Sequence, residues 1–118
     1  MIDLKPAMLS ALSALPACTA AAFAREEMPL PAITVSQEGG GVTARADGEA
    51  YLEECLMAVD VYAATPEEAE ILAARADAAL AALGLSRTET RDEYDETAYA
   101  WRKSQRFRAV IHGDTLYQ

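Results

Sequence analysis

Apolar positions along the chain follow two rhythms, and the sharpest change between them falls within Tyr51–Gly84. From Tyr51 the odd positions Tyr51, Cys55, Met57, Val59, Val61 and Ala63 form one apolar face, broken only by Glu53. The even positions Leu52, Glu54, Leu56, Asp60 and Tyr62 form a mixed face. A period of two puts successive side chains on opposite sides of the backbone and predicts a strand over residues 51–64. Thr65 and Glu68 then stand at capping-box spacing, and Pro66 occupies the first helical position. Glu67, Glu68 and Glu70 lie where the helix dipole favours negative charge. Ala69, Leu72, Ala73, Ala76, Leu80 and Leu83 share one helical stripe, whose small residues let the backbone lie close to a sheet. Gly84 stops the helix. Ile71 falls on the opposite side among Ala74, Ala78 and Ala82, either as an incidental surface residue or as part of a protein contact.

The flanking segments read more weakly. Asp3 is placed to cap a first helix with Pro6 in its first turn, and Leu4, Met8, Ala11, Leu12 and Leu15 share a face until Pro16 ends the pattern. Residues 17–24 admit a loop followed by a short strand at Ala21–Ala24. Glu26–Pro31 is irregular, because its two prolines cannot both sit in a ladder. Ala32–Glu38 is β-branched and alternating, a strand with Ile33 and Val35 inward. Gly39–Gly48 reads as a flexible loop of about ten residues, functional or merely exposed. Leu85–Arg91 is a polar, edge-like strand, and Asp92–Glu96 is a charged turn. Tyr99–His112 is the last strand, with Tyr99, Trp101, Phe107, Ala109 and Ile111 inward and Arg102, Arg106 and Arg108 on the other side. Gly113 ends it before a short tail. The order α-β-β-α-β-β, with room for one more strand before Ile33, predicts an α+β fold. Its sheet would be antiparallel or mixed, with two helices packed on one face. A strand as long as 51–64 outruns its own sheet or pairs with something else, so its mixed face is a candidate partner surface.

Length changes this picture little: 118 residues suit a single domain over 1–118. Charge changes it more. The net charge of −9 is confined to residues 1–84, which carry 4 basic and 13 acidic side chains, whereas residues 85–118 carry 6 of each. An acidic chain is repelled by phosphate backbones, which argues against general nucleic-acid binding; only a local patch in the last third escapes that argument, and no specific nucleic-acid binding is expected. Cys18 and Cys55 are the only cysteines, the N-terminal residues lack the order of a signal peptide, and no stretch reaches the ~20 apolar residues of a membrane span. A cytosolic fate with both thiols reduced is expected.

Catalytic chemistry finds little support. There is one histidine, the cysteines are 37 positions apart, and no CxxC or HxxxH spacing occurs, so no metal site is expected. Asp92, Glu93, Asp95 and Glu96 lack calcium-loop spacing and its central glycine. His112 is the only imidazole base, and Ser104 on its strand lies about 26 Å away at ~3.3 Å per residue. Cys55 faces the core, Glu53 and Glu54 point to opposite faces, and Gly39–Gly41 leads to Val42-Thr43 without a phosphate-binding lysine. No catalytic, metal or cofactor residue is expected. The Arg102, Arg106 and Arg108 face admits three readings: a nucleic-acid surface, cross-strand pairs with Glu54, Asp60 or Glu89, or a contact between subunits. Against the first, the strand's aromatics are on the other side.

The layout resembles the phage and prophage tail-terminator (tail-completion) proteins of the minor tail protein U kind. The matching features begin with the amphipathic helix Leu4–Leu15 and the strand led by Leu30-Pro-Ala-Ile-Thr-Val35. A long loop follows, then Val59-Asp-Val-Tyr-Ala63, the helix start Thr65-Pro-Glu-Glu-Ala69 and the helix end Leu83-Gly-Leu-Ser-Arg87. A Tyr94-Asp-Glu turn and the strand with Arg106-Phe-Arg108 complete the match. The resemblance implies a structural protein, not an enzyme and without cofactor, that closes into a ring of identical chains, commonly a hexamer. It would cap the tail tube, stop its polymerisation and offer a head-joining surface. Its partners would be itself, the tail tube protein and a head–tail connector protein, with no membrane. Its place would be the virion tail, after the host cytoplasm. Such a ring needs head-to-tail contacts, for which Leu52, Leu56, Tyr62, Ile71, Arg102, Arg106 and Arg108 are the candidates. Acidity suits a lumen that DNA traverses without sticking. The alternatives are a head–tail joining or other minor tail protein of the same shape, or, in a different class, a small cytosolic ligand-binding domain or enzyme.

Overall fold

The computed structural model describes residues 4–15, 19–21, 30–46, 49–96, 99–112 and 115–117, with side chains over 4–15, 30–39, 52–96 and 99–111. In chain order the elements are α1 (Lys5–Ser13), β1 (Thr19–Ala21), β2 (Ala32–Ala46), β3 (Glu49–Ala63), α2 (Pro66–Ala82), β4 (Ser86–Asp95), β5 (Ala100–His112) and β6 (Thr115–Tyr117). The expected α-β-β-α-β-β order is present, with two three-residue strands added. The sheet runs β1-β2-β3-β5-β4, with β6 paired to β5. β1 is parallel to β2 and every other pair is antiparallel, so the fold is α+β with a mixed sheet.

β2 and β3 form one long hairpin, in register from Ala32↔Tyr62 to Ala46↔Glu49. Fifteen residues at ~3.3 Å each span about 50 Å, which accounts for the 51 Å long axis of the molecule. The expected Gly39–Gly48 loop is therefore corrected. Gly39, Gly40 and Gly41 are ladder residues opposite Leu56, Cys55 and Glu54, and residues 47 and 48 alone lie outside the described part. Glycine disfavours a strand, but the backbone of β3 needs a partner along its whole length, and a ladder asks nothing of the side chains. Register shifts between Gln37/Gly39 and Val42/Ala44 absorb the misfit as bulges.

α2 forms as its sequence dictates. The Thr65 Oγ1 accepts from the Glu68 N–H at 3.2 Å, and Gly84 closes the helix at φ 99°, where the Leu85 N–H reaches the Leu80 carbonyl at 3.0 Å. Ala69, Leu72, Ala73, Ala76 and Leu80 are buried against the sheet. α1 begins from Leu4 without a side-chain cap and adds Leu4, Met8 and Leu12 to the core; Asp3, the expected cap, lies outside the described residues. The sheet supplies the inward residues Ile33, Val35, Cys55, Met57, Val59, Val61, Phe107 and Ile111. Both helices pack on this one face of the sheet.

Four further expectations need correction or lie out of view. Asp92–Asp95 extends β4 and is not a turn, because each residue pairs across to Lys103–Ala100 of β5. Tyr99 and Trp101 are exposed, not inward, since they lie beyond the start of α2. The tail carries β6. β1 starts earlier than the expected strand, whose residues 22–24, with the irregular 26–29, Cys18, Gly48, Gly113 and the side chains of Tyr51 and His112, lie outside the described residues.

Candidate functional site on the open sheet face

β5 sorts its side chains by parity. Lys103, Gln105, Phe107 and Ala109 face the helices and are buried, whereas Arg102, Ser104, Arg106 and Arg108 face the other side, where no described element packs. Each arginine meets carboxylates on a neighbouring strand. Arg108 pairs with Glu54 of β3, and Arg102 with Glu93 and Asp95 of β4. Arg106 places Nε 2.7 Å from Glu38 of β2 and Nη1 3.9 Å from Asp60 of β3, and also donates to the Ser104 hydroxyl at 2.6 Å. Arg91 and Glu89 add a 3.3 Å pair on β4. Of the three readings of these arginines, cross-strand pairing describes their geometry within the chain.

The electrostatics follow from this crowding. Burial works against the charge on Arg102, but hydrogen bonds to Glu93 and Tyr62 and the charges of Asp60 and Glu93 outweigh it and hold the pKa above its ordinary value. Asp60 keeps one carboxylate oxygen buried without a hydrogen bond. Glu89, Arg91, Glu93, Arg102, Ser104 and Arg106 line a polar recess on the face. Exposed pairs of this kind contribute ~0–1 kcal/mol each, so their main effect is to fix the pattern of charge that the face presents.

The residues expected at a subunit contact divide between two surfaces. Leu56 is 38% exposed on the open face beside the half-buried Leu52, with Arg102, Arg106 and Arg108 along β5. Ile71 is 55% exposed on the helical layer, on the other side of the molecule. Tyr62 is only 6% exposed, packed with Ala32 and Ala100 and bonded to Arg102, which removes it from the accessible surface.

Sequence reasoning passed over two β5 residues of the inward parity. Lys103 is buried beneath α2, with Nζ 3.1 Å from Asp92 and 3.4 Å from Glu70. These contacts hold its pKa above 10.5 although burial alone would lower it. Gln105, 1% exposed, donates to the Ala73 carbonyl of α2 at 3.4 Å. Their position in an otherwise apolar alternation was the available signal. Cys55 is buried with its thiol 3.4 Å from the Met57 sulfur, in the core position expected. Among the described residues no group of three histidine, cysteine or acidic side chains is placed to hold a metal ion, and no helix is long and apolar enough to cross a membrane.

No curated protein matches the chain. A family model does: that of the tail completion protein gp17, over residues 6–112, which takes in both helices, the long hairpin and the charged strand β5. The match spans most of the chain, and the chain belongs to the tail completion protein gp17 family of phage tail proteins.

Proposed function

We propose that this chain caps the end of the phage tail tube, stops its polymerisation and offers the surface to which the head is joined, acting as a closed ring of identical copies. Family membership over residues 6–112 is the observation that carries this reading. The two separated contact surfaces agree with it. A ring needs a heterologous contact, in which one patch meets a different patch on the next copy. The open face with Leu52, Leu56, Arg102, Arg106 and Arg108 serves as one patch, and the helical layer around Ile71 as the other. The partners are then the chain itself, the tube protein and a head-side connector, and the role is structural, not catalytic.

Electron microscopy of tail tubes grown with and without the chain tests the reading. Density at tube ends and a narrowed length distribution are expected; tubes of unchanged length with bare ends would sink it. Light scattering tests ring closure separately, with Ile71→Asp and Leu56→Asp each expected to lower the mass of the assembly.

A further inference from the structure

The end of the sheet beyond the first turn of α2 gathers exposed aromatic surface. Tyr94, Tyr99 and Trp101 are 44%, 80% and 38% exposed. Tyr94 and Trp101 are cross-strand partners whose rings meet edge to face, centroids 5.2 Å apart and planes at 68°. Tyr99 takes φ 51°, a conformation uncommon for a residue with a β-carbon, in the turn that returns the chain to β5. A soluble surface rarely leaves three large rings together without an occupant.

Carboxylates surround these rings. Glu96 lines a recess with Tyr94 and Tyr99. Asp92 lies two residues from Tyr94 on the same face of β4, and Glu70 approaches from α2; both reach Lys103, the next residue of that face after Trp101. Three carboxylates against one buried ammonium leave the patch negative. Ring faces and carboxylates together are the chemistry that holds a planar cation, by cation–π attraction and paired charge-assisted hydrogen bonds.

We propose that this aromatic, acidic patch docks an arginine-bearing segment of a partner protein. A second copy of the chain is a poor occupant. Its net charge is −9, and of the arginines whose side chains are described all but Arg75 of α2 already pair with its own carboxylates, as does Lys103. The proposal goes beyond tube capping and does not depend on ring closure.

Trp101 is the chain's only tryptophan, so its emission reports on the patch directly. The full chain is titrated with a short peptide of alternating arginine and glycine, and with lysine–glycine and glutamate–glycine counterparts. The arginine peptide is expected to give a saturable change in emission, the lysine peptide a weaker one, and the glutamate peptide none. Tyr99→Ala and Glu96→Gln, both at exposed positions, are each expected to weaken arginine binding about threefold to fivefold, and Ser10→Ala, exposed on α1, to leave it unchanged. No saturable change, or an affinity in both variants unchanged from that of the native chain, overturns the proposal. An emission shift on diluting the protein alone assigns the patch to a second copy and overturns the choice of occupant. A chain that binds the peptide yet fails to cap tubes leaves this proposal standing and removes the other.

Discussion

Arg106 of β5 reaches Glu38 of β2, Nε to Oε2 2.7 Å, over the top of the strand between them. Two strand spacings are about 10 Å, and the guanidinium crosses them because its neighbour on β3 is the small Ala58, which it leaves only 3% exposed. Glu38 is delivered to that position by the bulge before Gly39. Both side chains remain a third to a half exposed. A double-mutant cycle of Arg106→Ala and Glu38→Ala is therefore expected to give a coupling of about 0.5–1 kcal/mol that shrinks at high salt. Urea unfolding of the four proteins measures it; a coupling indifferent to salt would contradict the geometry.

Gly39 and Gly84 are expected to answer alanine in opposite ways. A β-carbon at Gly39 would sit 3.8 Å from Leu56 Cδ1, an ordinary contact, on a strand backbone. Gly39→Ala should add about 0.5–1 kcal/mol by restricting the unfolded chain and filling the bulge. Gly84 holds φ 99°, so Gly84→Ala should lose on the order of 1 kcal/mol or more. Denaturation midpoints decide both signs.

Gln105 buries a carbonyl oxygen with no hydrogen-bond partner, and its amide makes a single long bond to α2. Gln105→Leu removes the unpaired acceptor and leaves the Ala73 carbonyl within the helix ladder. The expected result is a gain on the order of 1 kcal/mol. A lower urea midpoint would show that the bond to α2 outweighs the stranded oxygen.

Lys103 makes stability fall at high pH. Its pKa is raised by folding above 10.5, against burial, by Asp92 and Glu70. A raised lysine stabilises fully below the unfolded value of 10.5 and loses that contribution as pH rises through the folded value. The stability gap between the native chain and Lys103→Met should be constant at neutral pH and close above about pH 10.5. Titrating both proteins together cancels the tyrosines, and a gap unchanged at pH 11 would contradict the assignment.

Tyr51–Gly84 was legible because its signals were local and agreed: alternation, a cap, a proline at the first turn and a stopping glycine. The glycine run was not. Its propensity says loop, and only the length of β3 reveals that a partner strand must lie there. Tyr99 and Trp101 failed for a geometric reason that parity cannot supply. Seventeen residues of α2 cover about 25 Å, whereas thirteen of β5 span about 43 Å, so the strand outruns its cover. The arginine face was visible in the alternation of β5. Its reach to Glu38 was not, because that contact depends on a bulge two strands away.

Bridges that cross strands also decide how the molecule bears load. Pulled along its 51 Å axis, the sheet would be strained in shear, with ladder bonds perpendicular to the force and Arg106–Glu38, Arg108–Glu54 and Arg102–Glu93 tying β5 to its neighbours and sharing it at once. Pulled across the sheet, the same strands would peel one bond at a time. The molecule is therefore mechanically anisotropic, and its stiff direction is its longest one.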